Sequence, residues 1–225
     1  MTESKTSAMF VTLEGGEGAG KSTSRDFIVS LLKEHNVPFI QTREPGGTPI
    51  GEVLRELLLS KEGTAPSVTT ELLMVFAARA QHLHEVIEPA LREGQWVLCD
   101  RFTDATYAYQ GFGRGFDLGE IEALEALVQR GRHPDLTLLF DIDPQLGMAR
   151  ARQRAELDRF EQEELAFFKK VREGYLSRAE CDSRFKIIDA SRSIGDVQDA
   201  LREILKPLLD RASSVSYTHL TLPTR

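Results

Sequence analysis

The chain has 225 residues and a formal net charge of −7, because 28 Lys and Arg stand against 35 Asp and Glu. An acidic chain lacks the net positive field that attracts nucleic-acid backbones or anionic membranes, and no apolar run approaches the roughly 18 residues of a membrane span. Two cysteines are too few for a disulfide framework or a four-thiolate zinc site. We therefore expect a cytoplasmic protein of one globular domain, without nucleic-acid or membrane partners.

Short apolar runs rich in β-branched and aromatic residues predict five strands, and segments of helical period separate them. The strands are expected at residues 9–14, 38–42, 96–100, 136–143 and 185–189. The clearest helices are expected at residues 69–92, 118–130 and 193–209, the last with its final turn kinked or shortened by Pro207. This alternation predicts a three-layer α/β fold with a parallel sheet of about five strands flanked by helices. Ligands of such sheets bind beyond the carboxyl ends of the strands.

The two ends of the chain differ in composition from the part between them. Residues 1–8 are polar and precede the first strand, so we expect a flexible N-terminus. Residues 211–225 contain no acidic residue and no helical period, which favours a disordered or non-native tail over a strand that binds a partner. We expect the folded domain to span residues 9–210.

A glycine-rich segment directly after the first strand fits the phosphate-loop pattern G-x-x-x-x-G-K-[ST] and precedes a helix. The glycines allow backbone N–H groups to surround phosphate oxygens. In this pattern Lys21 reaches the β- and γ-phosphates, and Ser22 offers its hydroxyl to Mg²⁺. The expected nucleotide-binding residues are Gly15, Gly16, Glu17, Gly18, Ala19, Gly20, Lys21, Ser22 and Thr23. The segment therefore predicts a P-loop NTPase fold that binds a nucleoside triphosphate.

Three further features narrow the kind of P-loop protein. A guanine-reading N-K-x-D motif is impossible, because Asn36 is the only asparagine. Asp100, after the third strand, is the expected holder of Mg²⁺; Asp141, after the fourth, is the alternative, and we favour Asp100 because Arg101 follows it. Arginines also cluster at positions 150, 152, 154 and 159. They form either a solvated helix face or a set of mobile cations that neutralise charge on a transferred phosphoryl group.

Six segments, in order and spacing, resemble the thymidylate kinase family. They are TLEGGEGAGKST, TREPGGTPIGEVLRELLL, ELLMVFAARAQHL, DRFTDATYAYQGFGRG, RHPDLTLLFDID and RARQRAELDRFEQE. The resemblance covers residues 9 to about 210 and follows the bacterial type, in which a lid, here about residues 147–160, supplies the arginine that the phosphate loop lacks. It implies a homodimeric nucleoside monophosphate kinase that transfers the γ-phosphoryl group of ATP to dTMP with Mg²⁺, giving dTDP and ADP for dTTP synthesis.

The resemblance also implies roles for individual side chains. The expected catalytic set is Lys21, Arg43, Arg101, Arg152 and Arg154, in which Arg43 and Arg101 hold the dTMP phosphate and a lid arginine closes over the bridging oxygens. The expected dTMP site comprises Glu17, Arg43, Phe76, Arg79, Arg101, Thr106, Tyr109 and Gln110. Phe76 would stack on thymine, although the family usually places its phenylalanine one residue earlier, at Val75 here. Arg192 would lie against adenine.

The implied reaction makes modest demands on acid–base chemistry. The acceptor is a phosphate monoester with a second pKa near 6, so its oxygen is largely deprotonated at neutral pH and needs no general base. The five histidines therefore require no catalytic role. A kinase of another nucleoside monophosphate and a P-loop regulatory NTPase remain the alternative functions.

Overall fold

The computed structural model describes residues 8–60, 64–153, 159–160 and 163–217. Its strands are β1 (Phe10–Gly15), β2 (Phe39–Arg43), β3 (Trp96–Asp100), β4 (Leu136–Asp141) and β5 (Phe185–Asp189). They form one parallel sheet in the order β2-β3-β1-β4-β5. The predicted α/β class and five-stranded parallel sheet are confirmed.

The helices follow the strands in the expected alternation. They are α1 (Lys21–Glu34), α2 (Pro49–Leu59), α3 (Val68–His82), α4 (Glu88–Arg92), α5 (Thr103–Thr106), α6 (Leu118–Gln129), α7 (Pro144–Arg152), α8 (Leu165–Cys181) and α9 (Ile194–Tyr217). Two π-helical segments, Leu83–Ile87 and Tyr107–Gly113, follow α3 and α5. Within the described part of the chain, no helix has both the length and the apolar character needed to cross a membrane.

Two helix predictions need correction. The continuous helix expected over 69–92 is divided by the π-helical segment, and Pro89 lies in the first turn of α4, where a proline is tolerated. Pro207 does not end α9, which continues to Tyr217 because Leu205 and Leu209, on either side of it, are both buried in the core. The helical backbone thus passes the domain boundary expected at residue 210, while residues 1–7 and 218–225 lie outside the described residues.

Alternate residues of the central strands pack on opposite faces of the sheet, which produces three layers. In β3, Trp96 and Leu98 belong to a core cluster with α1 and α9. Val97 and Cys99 belong to a second cluster on the other face, with residues of α4. The parallel register pairs Leu13 with Asp100, so the loops that follow β1 and β3 emerge side by side.

Candidate active site

A cavity of about 390 Å³ lies beyond the carboxyl ends of β1 and β3. Many predicted site residues line it: Glu17, Gly18, Ala19, Gly20, Lys21, Ser22, Arg79, Asp100, Arg101, Thr106, Tyr109 and Gln110. A second cavity of about 450 Å³ shares Gly18, Ala19 and Gly20 with the first and is also lined by Thr23 and Arg192. The phosphate loop therefore separates two cavities, each of which contains a predicted nucleotide-contacting arginine.

The phosphate loop is organised by its backbone. Lys21 Nζ donates to the carbonyl oxygens of Gly15 and Gly16, both at 2.9 Å, so the loop curls around its own lysine. Burial lowers the pKa of Lys21, and the neighbouring Arg101 cation lowers it further. Gly18 has a φ of +70°, and a Cβ there would lie only 2.0 Å from the carbonyl oxygen of Gly147. This glycine thus allows the loop to pack directly on the backbone of α7.

Arg101 is held between the phosphate loop and α8 in a left-handed backbone conformation, with φ 68°. Its Nη1 donates to the Gly15 carbonyl at 3.1 Å and to the Tyr175 hydroxyl at 3.0 Å, and its Nη2 lies 2.5 Å from Glu17 Oε1. The Tyr109 ring lies 4.8 Å from the guanidinium, and its hydroxyl also donates to Glu17. Strained backbone at such a junction is typical of functional sites.

Glu14 supports this junction; its place at the carboxyl end of the first strand marks it in the sequence as a position where function is to be sought, but predicts no role for it. Its side chain is fully buried and accepts from the Phe102 backbone N–H at 2.7 Å and from the Tyr175 hydroxyl at 2.8 Å. Burial, with the Asp104 charge, raises the pKa of Glu14 to about 8 against the attraction of Arg101. The only sequence signal was an acidic residue at the end of an otherwise apolar strand.

Arg79 is a buried cation, 1% exposed, between the Phe76 and Phe102 rings at 4.8 and 5.0 Å. Its Nε donates to Glu44 Oε2 at 2.8 Å, and its Nη2 donates to Thr106 Oγ1 at 2.9 Å. Among the described residues, Nη1 has no hydrogen-bond partner. Because Arg79 lines the first cavity, these remaining N–H groups can bind an oxygen acceptor of a ligand there.

Comparison with known proteins identifies the group to which this chain belongs. The family model described as Thymidylate kinase matches residues 13–201. Similar curated relatives are the thymidylate kinases of Pseudomonas syringae pv. tomato (56% identical over 203 residues, 90% of this chain and 97% of the relative), Pseudomonas putida GB-1 (54% over 206, 91% and 98%) and Teredinibacter turnerae (55% over 201, 89% and 98%). The chain belongs to the thymidylate kinase family.

Two residues that the family resemblance assigns to the dTMP site do not line this cavity. Phe76 is outside the cavity wall, in a core cluster with Leu72 and Tyr107, because it faces inward behind Arg79; Val75 lines the cavity instead. Arg43 is also outside the wall, since its exposed guanidinium pairs with Glu52 at 2.6 Å.

Arg55 lines the cavity and was missed in the sequence. It lies on α2, and its Nη1 donates to the Pro45 carbonyl at 3.0 Å. The signal was available in the segment EVLRELLL, where Arg55 is the one basic residue of α2. Arg55, unlike Arg43, therefore lies in the wall of this cavity.

The sequence analysis also missed Glu71. This residue connects Gln110, in the wall of the first cavity, to the predicted lid. It is buried and accepts from Gln110 Nε2 at 2.9 Å, from Arg159 Nη2 at 2.6 Å and from Arg114 Nε at 3.4 Å. Arg159 also donates to the Leu58 carbonyl at 2.7 Å. One buried carboxylate therefore orients Gln110 and anchors part of the lid.

The other lid arginines differ in their surroundings. Arg150 donates to the Ala190 carbonyl at 2.8 Å and ties α7 to the loop after β5. Arg152 is exposed at the end of α7, and Arg154 lies outside the described residues. In the second cavity, Arg192 is an exposed residue whose Nε lies 3.1 Å from Asp189 Oδ2.

The two candidate acidic residues for Mg²⁺ are distinguished by their contacts. Asp141 accepts two hydrogen bonds from Arg172, at 2.6 and 2.8 Å, so both of its oxygens are engaged. Asp100 Oδ1 is buried without a hydrogen-bond partner in the described part of the chain, and Asp100 lines the cavity together with Ser22. An unpartnered carboxylate oxygen in the same cavity as a hydroxyl suits a hard cation that takes oxygen ligands.

Proposed function

We propose that this chain transfers the γ-phosphoryl group of ATP to dTMP, forming dTDP and ADP. The observation that carries the proposal is the joining of a phosphate loop to a cavity whose wall holds Arg101 at one place and the buried Arg79–Thr106 pair at another. Arg101 suits a phosphate, and the Arg79–Thr106 pair suits a nucleobase with an oxygen acceptor. Membership in the thymidylate kinase family identifies that base as thymine.

The proposed donor site is the cavity of about 450 Å³ on the far side of the phosphate loop. ATP places its adenine near Arg192, which can stack on the ring, and its phosphates on the loop backbone and Lys21. Mg²⁺ would be held by Asp100 and by the Ser22 hydroxyl, and it would neutralise charge on the donor phosphates.

The proposed acceptor site is the cavity of about 390 Å³. Arg101 and Arg55 bind the dTMP phosphate. In this proposal Arg55 takes the role that the sequence predicts for Arg43, and Arg101 keeps its predicted role. Glu17 accepts from the 3′-hydroxyl, and Tyr109 lies beneath the sugar, where a 2′-hydroxyl would clash. Arg79, Thr106 and Gln110 read the polar edge of thymine, and Val75 replaces Phe76 as the apolar contact.

Transfer then requires positioning and charge neutralisation rather than a general base. Arg101 contacts both the phosphate loop and Glu17, so it lies where donor and acceptor phosphates meet. A lid over about 147–160 closes with Arg152 or Arg154 and excludes water, which would otherwise accept the phosphoryl group. The kinase domain in this proposal comprises residues 9–210, with α9 continuing beyond it.

The proposal includes a homodimer. Ile50, Val53 and Leu57 form one exposed apolar stripe along α2, each between 55% and 57% exposed, and Leu73 on α3 is 51% exposed. Such a stripe is typical of subunit interfaces. Val53→Glu is expected to convert a dimer to monomer in sedimentation equilibrium, with Lys206→Glu as the control. We also propose a cytoplasmic location, since the free thiols of Cys99 and Cys181 suit a reducing compartment.

A panel of acceptors tests the function. Purified protein with ATP and Mg²⁺ is given dTMP, dUMP, dCMP, UMP, AMP or GMP, and nucleoside diphosphate formation is measured. We expect dTMP to be the best acceptor, at least about tenfold better than UMP in kcat/KM. A better result with another monophosphate would reassign the acceptor. ATP hydrolysis without any acceptor at the same rate would instead support a regulatory NTPase.

A further inference from the structure

Arg79 is the end of a continuous row of buried polar side chains. Glu44 accepts from Arg79 Nε through Oε2 at 2.8 Å and from His82 Nδ1 through Oε1 at 2.9 Å. On the other side of the imidazole, Nε2 lies 2.6 Å from Thr42 Oγ1. The side chains of Arg79, Glu44 and His82 are 1%, 3% and 0% exposed, so water does not compete for these bonds.

The contact with Glu44 determines which nitrogen of His82 is the donor. A carboxylate oxygen can only accept, so Nδ1 of His82 carries a proton and donates to Glu44 Oε1. At Nε2 the Thr42 hydroxyl can donate to an unprotonated nitrogen or accept from a protonated one, so this contact is satisfied in either form. Each polar atom of His82 is thereby satisfied, and the imidazole is fixed relative to Glu44.

A neighbouring loop packs on this histidine. Gly47 has a φ of +81°, and a Cβ there would lie 2.6 Å from His82 Nε2 and 2.8 Å from Thr42 Oγ1. The segment that follows Glu44 therefore covers the imidazole and leaves no space for a larger residue. Rotation of His82 is restricted from this side as well as by its two hydrogen bonds.

We propose that His82 is a positioning residue for base recognition, and that it acts through Glu44 on Arg79. A carboxylate with both oxygens available tends to bind a guanidinium through two parallel hydrogen bonds. His82 donates to Oε1 of Glu44 and holds the carboxylate so that Oε2 accepts from Nε of Arg79, and the other donors of Arg79 remain for Thr106 and for a carbonyl oxygen of the acceptor base. This inference deepens the proposed function and rests on it.

Two substitutions at this histidine separate its two contacts. Asn places an amide nitrogen near the position of Nδ1, so His82→Asn retains a donor to Glu44. Gln places its amide near the position of Nε2, so His82→Gln retains a contact with Thr42 and loses the one with Glu44. His84→Gln, an exposed histidine two residues away, is the matched control.

The measurements are the Kd of dTMP by calorimetry and the steady-state constants for dTMP, dCMP and ATP. We expect His82→Gln to weaken dTMP binding about tenfold or more, since a hydrogen bond to a charged group is lost, with kcat at saturating dTMP and the KM for ATP within about twofold. His82→Asn recovers most of the affinity. The preference for dTMP over dCMP, whose amino group replaces a carbonyl, also falls in His82→Gln, whereas general instability would lower both acceptors alike.

A double-mutant cycle tests the path through Glu44. If His82 acts through this carboxylate, His82→Gln adds little to the loss already caused by Glu44→Gln. Additive losses, a dTMP Kd for His82→Gln within twofold of wild type, or equal losses in His82→Asn and His82→Gln would each overturn the proposal.

Thermal unfolding shows whether the variants fold. If His82→Gln is unfolded at the assay temperature, the proposal still requires weak dTMP binding in Glu44→Gln and near-normal binding in His82→Asn. Wild-type protein that does not bind dTMP would overturn the proposed function itself. Wild-type protein that binds dTMP while the His82 variants bind equally well would overturn only the positioning role.

Discussion

The proposed acceptor and donor sides of the phosphate loop are built differently. On the acceptor side, charged groups are buried and already paired with one another, as in Arg79 with Glu44 and Glu71 with Arg159. On the donor side, the Arg192 side chain is 66% exposed, and the predicted lid carries a second exposed arginine, Arg152, at the end of α7. A preorganised wall can discriminate between acceptors without rearrangement, whereas exposed arginines contribute only when the lid brings them to the phosphates.

The largest effect is expected from the donor side. Arg152→Ala and Arg154→Ala should reveal the lid arginine that stabilises the transferred phosphoryl group, with kcat falling on the order of 10³-fold in the variant that loses it. The dTMP Kd should change little, because the role proposed for these arginines is in the transfer step and not in binding dTMP. Single-turnover kinetics and calorimetry measure the two quantities, and Arg202→Ala on α9 is an exposed control. Losses below tenfold in both variants, or weaker dTMP binding at unchanged kcat, would contradict this division of roles.

An intermediate effect on activity is expected at Glu71, which joins the acceptor side to the lid. Glu71→Gln keeps the size of the side chain but gives Gln110 and Arg159 a poorer acceptor, so the dTMP KM should rise about tenfold. Loosened attachment of the lid should also increase ATP hydrolysis in the absence of dTMP. Glu180→Gln on α8 is the exposed control. If acceptor-independent hydrolysis stayed at the wild-type rate while the dTMP KM rose, Glu71 would orient Gln110 without anchoring the lid.

The smallest effect concerns stability and pH. The pKa of Glu14 is raised from 4.5 to about 8 in the folded state, so the native protein binds this proton more tightly than the unfolded chain. The stability that the protonated group contributes is complete below about pH 4.5 and is lost as the pH rises to 8. The Tm of wild type should therefore decline more steeply over this interval than that of Glu14→Gln.

Glu120→Gln, an exposed substitution on α6, controls for the pH dependence of the rest of the protein. Calorimetric scans at intervals of one pH unit would show the difference. Parallel wild-type and Glu14→Gln curves would mean that Glu14 titrates in its ordinary range, with its hydrogen bonds from Tyr175 and Phe102 outweighing the cost of burial.

Much of the fold and of the nucleotide-binding loop could be predicted from the amino-acid pattern. Strand β3 was expected at residues 96–100 and β5 at 185–189, and both have those bounds. The phosphate loop was recognisable because glycine spacing, Lys21 and Ser22 are local features set by the backbone conformation that the loop requires. Parallel strands then placed the loop beside Asp100 without further information.

The partners of the charged side chains could not be predicted in the same way. Glu14 and Tyr175 are 161 residues apart, and Glu71 and Arg159 are 88 apart, so each pair depends on how helices pack against the sheet. The same packing turned Phe76 into the core and brought Val75 to the cavity. Residue type and spacing determine where an arginine or a carboxylate stands in the chain. The free energy that this charged side chain contributes depends on its burial and on the partner that it contacts. Those two quantities arise only when distant segments come together.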